Sequence, residues 1–145
     1  MDSKEILEIR KAEAGIPLPL PLYTTSVQAG FPSPAEDYLD KTLDLNELLI
    51  SHPAATFFVR VAGDSMKNAG IFSGDTLVVD RSLQPSDNRI VVAILNGEFT
   101  VKRLKIHPDG ISLLPENPAY PILEVKEGCD FQVWGVVTYV IHKAV

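Results

Sequence analysis

The stretch RIVVAILNGEFTVKRLKI (89–106) decides the fold. Two runs rich in β-branched and aliphatic residues, RIVVAIL (89–95) and EFTVKRLKI (98–106), are separated only by Asn96-Gly97. Asn-Gly suits the type I′ turn, so the stretch reads as a tight antiparallel hairpin. Outward from it the same character persists. TFFVRV (56–61) is β-branched and aromatic, and DTLVVD (75–80) follows a Ser-Gly turn. ISLLP (111–115), a weaker ILEVK (122–126) and FQVWGVVTYVIH (131–142) bring the count to about seven strands at short intervals. The predicted fold is mostly β: a single, partly closed antiparallel β-fold. One short helix is signalled at LDLNELLISHP (43–53), where Asp44 can cap, Glu47 follows three residues later and Pro53 ends it.

The N-terminal part differs. Pro17, Pro19, Pro21, Pro32 and Pro34 are five of the eleven prolines. Alternating Pro-Leu at 17–22 cannot be a helix interior and cannot donate to a sheet ladder, so it is expected to be extended and weakly attached. Residues 1–14 are expected to form a short amphipathic helix carrying Ile6, Leu7 and Ile9, with a stop at Gly15. The organisation read from this is an extended regulatory arm, 1–35, and a β-rich domain, 36–145.

A length of 145 residues favours one domain, and 46% hydrophobic with 22% charged residues is ordinary globular usage. The single cysteine, Cys129, excludes an internal disulfide framework and a multi-cysteine zinc site, and suits a reducing compartment. A net charge of −6 argues against a broad basic face for direct nucleic-acid binding. No apolar segment follows a basic start, and the uncharged stretch 15–35 holds too many prolines for a membrane helix. The expectation is a cytoplasmic, soluble protein that needs no cofactor or metal. There is no Walker A motif, no G-x-G-x-x-G, no G-x-S-x-G elbow and no H-E-x-x-H.

Three features could carry chemistry. Ser65, in Gly63-Asp64-Ser65-Met66, sits on a turn after a strand: an ordinary turn serine, or an exposed nucleophile. Lys102 lies in the second strand of the hairpin, and alternation puts it on one face with Thr100, Leu104 and Ile106. Phe99, Val101, Arg103 and Lys105 take the other. Lys102 is then either a snorkelling surface lysine or a desolvated amine able to act as a base. Ala29-Gly30, in the arm, is a small-residue pair in a linker or a backbone that can be drawn into a site. His52, His107 and His142 have no triad spacing and read as structural or surface residues; Cys129 reads as an inert thiol, and Phe131 and Trp134 as core or interface.

Together these features form a specific set. Ser65 and Lys102 are 37 residues apart, and Gly30 lies 35 before Ser65. With AGFPSPAEDYLD, DLNELLISHPAATFFVRVAGDSM, GDTLVVDRS, NGEFTVKRL, LLPENPAY and VWGVVTYVI, the chain resembles the LexA/UmuD family of self-cleaving serine–lysine peptidases over roughly residues 22–143. The resemblance implies a fold like the LexA C-terminal domain. It implies that Ser65 is the nucleophile, Lys102 the general base and Ala29–Gly30 the self-cleavage bond, where some relatives have Cys-Gly. Backbone N–H groups of Asp64 and Ser65 would stabilise the oxyanion. The amine must be neutral to accept the serine proton, which burial against neighbours such as Leu104 favours.

The implied function is a self-cleaving SOS-response protein. A RecA filament on single-stranded DNA promotes cleavage, and the shortened form, 30–145, joins a UmuC-type Y-family polymerase in error-prone lesion bypass. A homodimer is expected by resemblance and from the long apolar last strand, 131–142. The alternatives are a LexA-like self-cleaving repressor, for which residues 1–14 supply no helix-turn-helix; a leader peptidase, for which an N-terminal anchor is lacking; and a non-catalytic β-module with an inert Ser65.

Overall fold

The computed structural model describes residues 5–13, 15, 17–23 and 39–145. Within them lie ten strands: β1 (Ile6–Lys11), β2 (Pro19–Tyr23), β3 (Leu39–Asp44), β4 (Thr56–Val61), β5 (Thr76–Asp80), β6 (Ile90–Leu95), β7 (Glu98–His107), β8 (Gly110–Leu114), β9 (Leu123–Val125) and β10 (Phe131–Ile141). Eight of them form one antiparallel sheet in the order β1-β4-β5-β10-β6-β7-β8-β9, while β2 and β3 pair separately. No helix among the described residues is long and apolar enough to cross a membrane.

The hairpin forms as read. Asn96 and Gly97 both take positive φ, 50° and 82°, which a type I′ turn requires, and Val91 pairs with Lys102. The helix α1 (Leu45–Leu49) is capped by Asp44, whose side chain accepts from the Asn46 N–H at 2.9 Å.

Two apolar clusters explain the continuous runs of β6 and β10. Val92 and Val137 belong to a cluster with Val59, Leu77, Val79, Val101, Met66 and Ile71. Val91, Ala93 and Val136 belong to another with Leu104 and Leu113. Neighbouring residues on one strand point to opposite faces, so both faces of these strands are buried and alternation disappears from their sequence. The register of β10 shifts between Val133 and Gly135 against β6 and again between Val137 and Tyr139 against β5. At Gly135 a Cβ would lie 2.5 Å from Val79 Cγ1. Gly135→Ala is expected to destabilise the fold by about 1–3 kcal/mol, through displacement of a buried valine, read as a lowered denaturant midpoint at unchanged m-value.

The N-terminal expectations need correction. Residues 6–11 form an edge strand of the main sheet, not a helix. The pairing of β1 with β4 is irregular between Ile6 and Glu8. This inserts one residue, so Ile6 and Ile9 both pack on the first cluster while Leu7 is 57% exposed. A spacing of three looks helical, but here it is a bulged strand. The Pro-Leu run is extended as expected, yet β2 does join a ladder with β3. Pro19 and Pro21 are two residues apart on the strand, so the missing N–H groups fall on a single side.

The last strand is internal, between β5 and β6, so its edges are satisfied, while Tyr139, Val140 and Ile141 keep exposed surface at its end. Trp134 packs edge-on against Phe57 and Phe99, and the Arg81 guanidinium lies 4.5 Å from its ring centroid.

Asp80 ties α1's exit to the sheet. Its buried carboxylate takes hydrogen bonds from Ser82 Oγ at 2.6 Å and the Ser82 N–H at 2.8 Å, and lies 2.6 Å from His52 Nδ1. Burial alone would push this carboxyl up. The bonds from Ser82 and His52 outweigh it and hold it below the usual carboxylate range. A depressed carboxyl contributes stability that is complete above its unfolded value and lost as pH falls through its folded value. Asp80→Asn should therefore flatten the acid limb of a stability–pH curve, below about pH 4, relative to the unaltered chain.

Candidate active site

The turn after β4 carries Ser65, and the strand β7 carries Lys102. Met66 is buried in the first cluster and anchors the turn from below. From the side it is held by the segment after β8. The Glu116 N–H donates to Ser65 O at 2.8 Å, Glu116 O accepts from the Asn68 N–H at 2.9 Å, and Asn117 Nδ2 donates to Asp64 O at 2.9 Å. Arg103 Nε in turn donates to the Glu116 carboxylate at 2.5 Å. These bonds fix the backbone at Asp64 and Ser65 from a segment some fifty residues away in sequence.

Ser65 and Lys102 are brought together. Lys102 Nζ lies 3.3 Å from Ser65 Oγ, and each residue is only 5% exposed. Nζ also donates to Thr100 Oγ1 at 2.6 Å and to Val101 O at 3.1 Å. Lys102 is therefore buried among oxygen acceptors, not snorkelling at the surface. Lys105, three residues along and on the opposite face of the strand, faces Asp87 at 3.4 Å on the exposed side.

The face assignment along β7 holds at Thr100, Lys102 and Leu104, which are all buried, and fails at Ile106, which is 46% exposed. The reason is pairing. The β6 ladder ends at Ile90 opposite Arg103, so beyond it the only strand beside β7 is β8, the other side being met by the 87–89 loop. Val101, assigned to the outer face, is buried in the first cluster because that face is covered as well.

A fourth residue completes the cluster. Glu5 Oε1 accepts from Ser65 Oγ at 2.6 Å and from Lys102 Nζ at 2.7 Å. Nothing in the sequence singles out Glu5 among the N-terminal acids; it reaches the site only through the register of β1. Asn117 was legible as part of LLPENPAY but carried no assigned role. The histidines stand apart: His52 meets Asp80, His142 Nδ1 lies 2.5 Å from Asp75, and His107 Nε2 lies 2.9 Å from Ser112 Oγ. Ala29 and Gly30 lie outside the described residues.

Among the described residues, the N–H groups of Asp64 and Ser65 make no hydrogen bond. A hydroxyl beside an amine, walled off from water and flanked by two backbone N–H groups, has the parts of an acyl-transfer centre.

The chain is 56% identical to Protein SamA of Salmonella typhimurium over 123 residues, covering 85% of each protein. It is 46% identical to Protein MucA of Escherichia coli over 121 residues, covering 83% of this chain and 82% of that one. The LexA repressor of Paracidovorax citrulli is 40% identical over 116 residues, which span 80% of this chain but 51% of the repressor. The family model for Peptidase S24-like proteins matches residues 21–138, an interval that contains the Ser65 turn and the Lys102 strand, and the chain accordingly belongs to the Peptidase S24-like family, among its UmuD-type SOS mutagenesis members.

Proposed function

We propose that this protein cleaves itself between Ala29 and Gly30, with Ser65 as nucleophile and Lys102 as general base. Ser65 Oγ bonds to the Ala29 carbonyl carbon as its proton passes to the neutral amine of Lys102. The carbonyl oxygen, now negative, takes hydrogen bonds from the N–H groups of Asp64 and Ser65. The C–N bond then breaks, Lys102 returns the proton to the Gly30 nitrogen, and water hydrolyses the acyl-serine. The observation that carries this reading is the approach of Lys102 Nζ to 3.3 Å from Ser65 Oγ inside a buried pocket. Small Ala29 and Gly30 permit close backbone approach, and the tether supplies substrate at high effective concentration.

Cleavage is stimulated by a RecA filament on single-stranded DNA. The product 30–145, as a homodimer in the cytoplasm, acts as the accessory subunit of a UmuC-type Y-family translesion polymerase. Membership of a peptidase family, and similarity to SamA and MucA, support this role. An intact-mass time course, with and without activated RecA filament, tests it. The expected result is a single cut after Ala29, faster with filament. A cut elsewhere, or none with filament present, overturns it.

A further inference from the structure

We infer that the cleft between the β4 edge and the Ser65–Lys102 pair is a binding site for an extended acidic peptide, that residues 5–13 of this chain are its resident occupant, and that this strand must leave before Ala29–Gly30 can reach Ser65. The inference rests on Ser65 and Lys102 being the cleaving pair.

The ladder spans all of β4. Ile6, Glu8, Ile9, Arg10 and Lys11 pair with residues 57–61, and the ends are closed by the Ala62 N–H on Glu5 O at 2.7 Å and the Ala12 N–H on Thr56 O at 2.9 Å. This is strand addition to a sheet edge, with main-chain bonds for affinity and side chains for specificity. Ile6 and Ile9 fill the apolar part of the site, and Glu5 fills the polar part.

Counting protons shows what Glu5 does there. An ammonium has three donors and no acceptor. Those of Lys102 face Glu5 Oε1 at 2.7 Å, Thr100 Oγ1 at 2.6 Å and Val101 O at 3.1 Å, with Ser65 Oγ a more distant fourth acceptor at 3.3 Å. The one hydroxyl proton of Ser65 points to Glu5 Oε1, not to the amine. A single carboxylate oxygen thus draws the serine proton away from its base and gives the amine an anion to neutralise. The arrangement is a closed one. An ammonium offers the serine no lone pair, and the Glu5 carboxylate occupies the space beside Ser65 Oγ.

The strand is also built to leave. It lies at the sheet's edge, with one neighbour only. Leu7 and Arg10 are exposed, and its own ion pair, Glu8 with Arg10, is solvated and contributes little. The pairing irregularity at Ile6–Glu8 interrupts the ladder beside Glu5.

The test uses the full chain. Glu5→Gln keeps the side chain's shape and removes its charge. The expected result is self-cleavage at least about tenfold faster than wild type at neutral pH without filament, and faster hydrogen exchange of the amides joining residues 5–12 to β4 in the uncut protein. A synthetic peptide of residues 2–14, added in excess, should slow the variant again. Glu127→Gln, exposed and remote, should match wild type. Cleavage of Glu5→Gln at the wild-type rate overturns the inference, and slower cleavage overturns it by making Glu5 part of the catalytic machinery. If wild type is not cut under any condition, the peptidase reading fails separately. Exchange then decides: protection lost in Glu5→Gln supports an acidic strand held by its carboxylate, and protection unchanged overturns it.

Discussion

Ser65→Ala stays whole under conditions that cut the wild-type chain, with or without filament, because no other nucleophile stands at the Asp64–Ser65 turn. Lys102→Ala is equally inert: the nearest histidines are bonded to Asp80, Asp75 and Ser112, away from the serine. The expected loss in each is at least about 10³-fold in rate, and the double variant is no worse than either single one, since the two side chains act as a unit. Lys102→Arg is also dead, because a guanidinium does not give up its proton in the working range. Lys105→Ala cleaves normally, its ammonium lying on the outer side with Asp87. Intact mass over time reads all of these. Cleavage by Lys102→Ala at a rate near wild type would remove Lys102 from the mechanism.

Leu113→Ala is expected to destabilise the fold by about 2–5 kcal/mol, a large part of the roughly 5–15 kcal/mol that holds a domain of this kind together. Leu113 on β8 is wholly buried and sits directly opposite Leu104 on β7. Both belong to the second cluster, which is closed by the inner sides of β6 and β10. Sheets so paired cannot collapse onto the vacated volume, so the cavity persists and adds to the lost transfer energy. Leu104→Ala should cost about the same, and the pair of changes less than their sum, because they empty one shared space. Denaturant titration measures each. A loss below about 1 kcal/mol would mean that the second cluster is not a packed core.

The strands from residue 56 onward were legible because each run is bounded by turn residues and because Asn96-Gly97 admits one hairpin register. The pairing order was not. Placing β10 between β5 and β6 depends on both faces being covered, and a continuous apolar run says only that a strand is buried. Ser65 and Lys102 stood out as candidates on their own residues, and their roles came only with the family resemblance. Glu5 was invisible, since it acts 60 and 97 positions away from them and owes its place to one bulge in an edge strand misread as a helix turn. Arg103 was placed on the face shared with Lys105 and given no role; it braces the serine turn through Glu116, a contact made only once β8 has folded back.

The two N-terminal ladders change what a severed backbone means. β1 is zipped to β4 and β2 to β3, and a break after residue 29 places the first strand of each pair on one piece and its partner on the other. Scission and departure are then distinct events. Because β1 has to be displaced for such a cut, the released piece would be retained only by β2 on β3 and by β1 returning to β4, and its separation would obey mass action, favoured by dilution and opposed by crowding of the pieces. A denaturing gel registers the first event at once, while the shortened protein comes into being, as a surface with a bare sheet edge, only when the second has run its course.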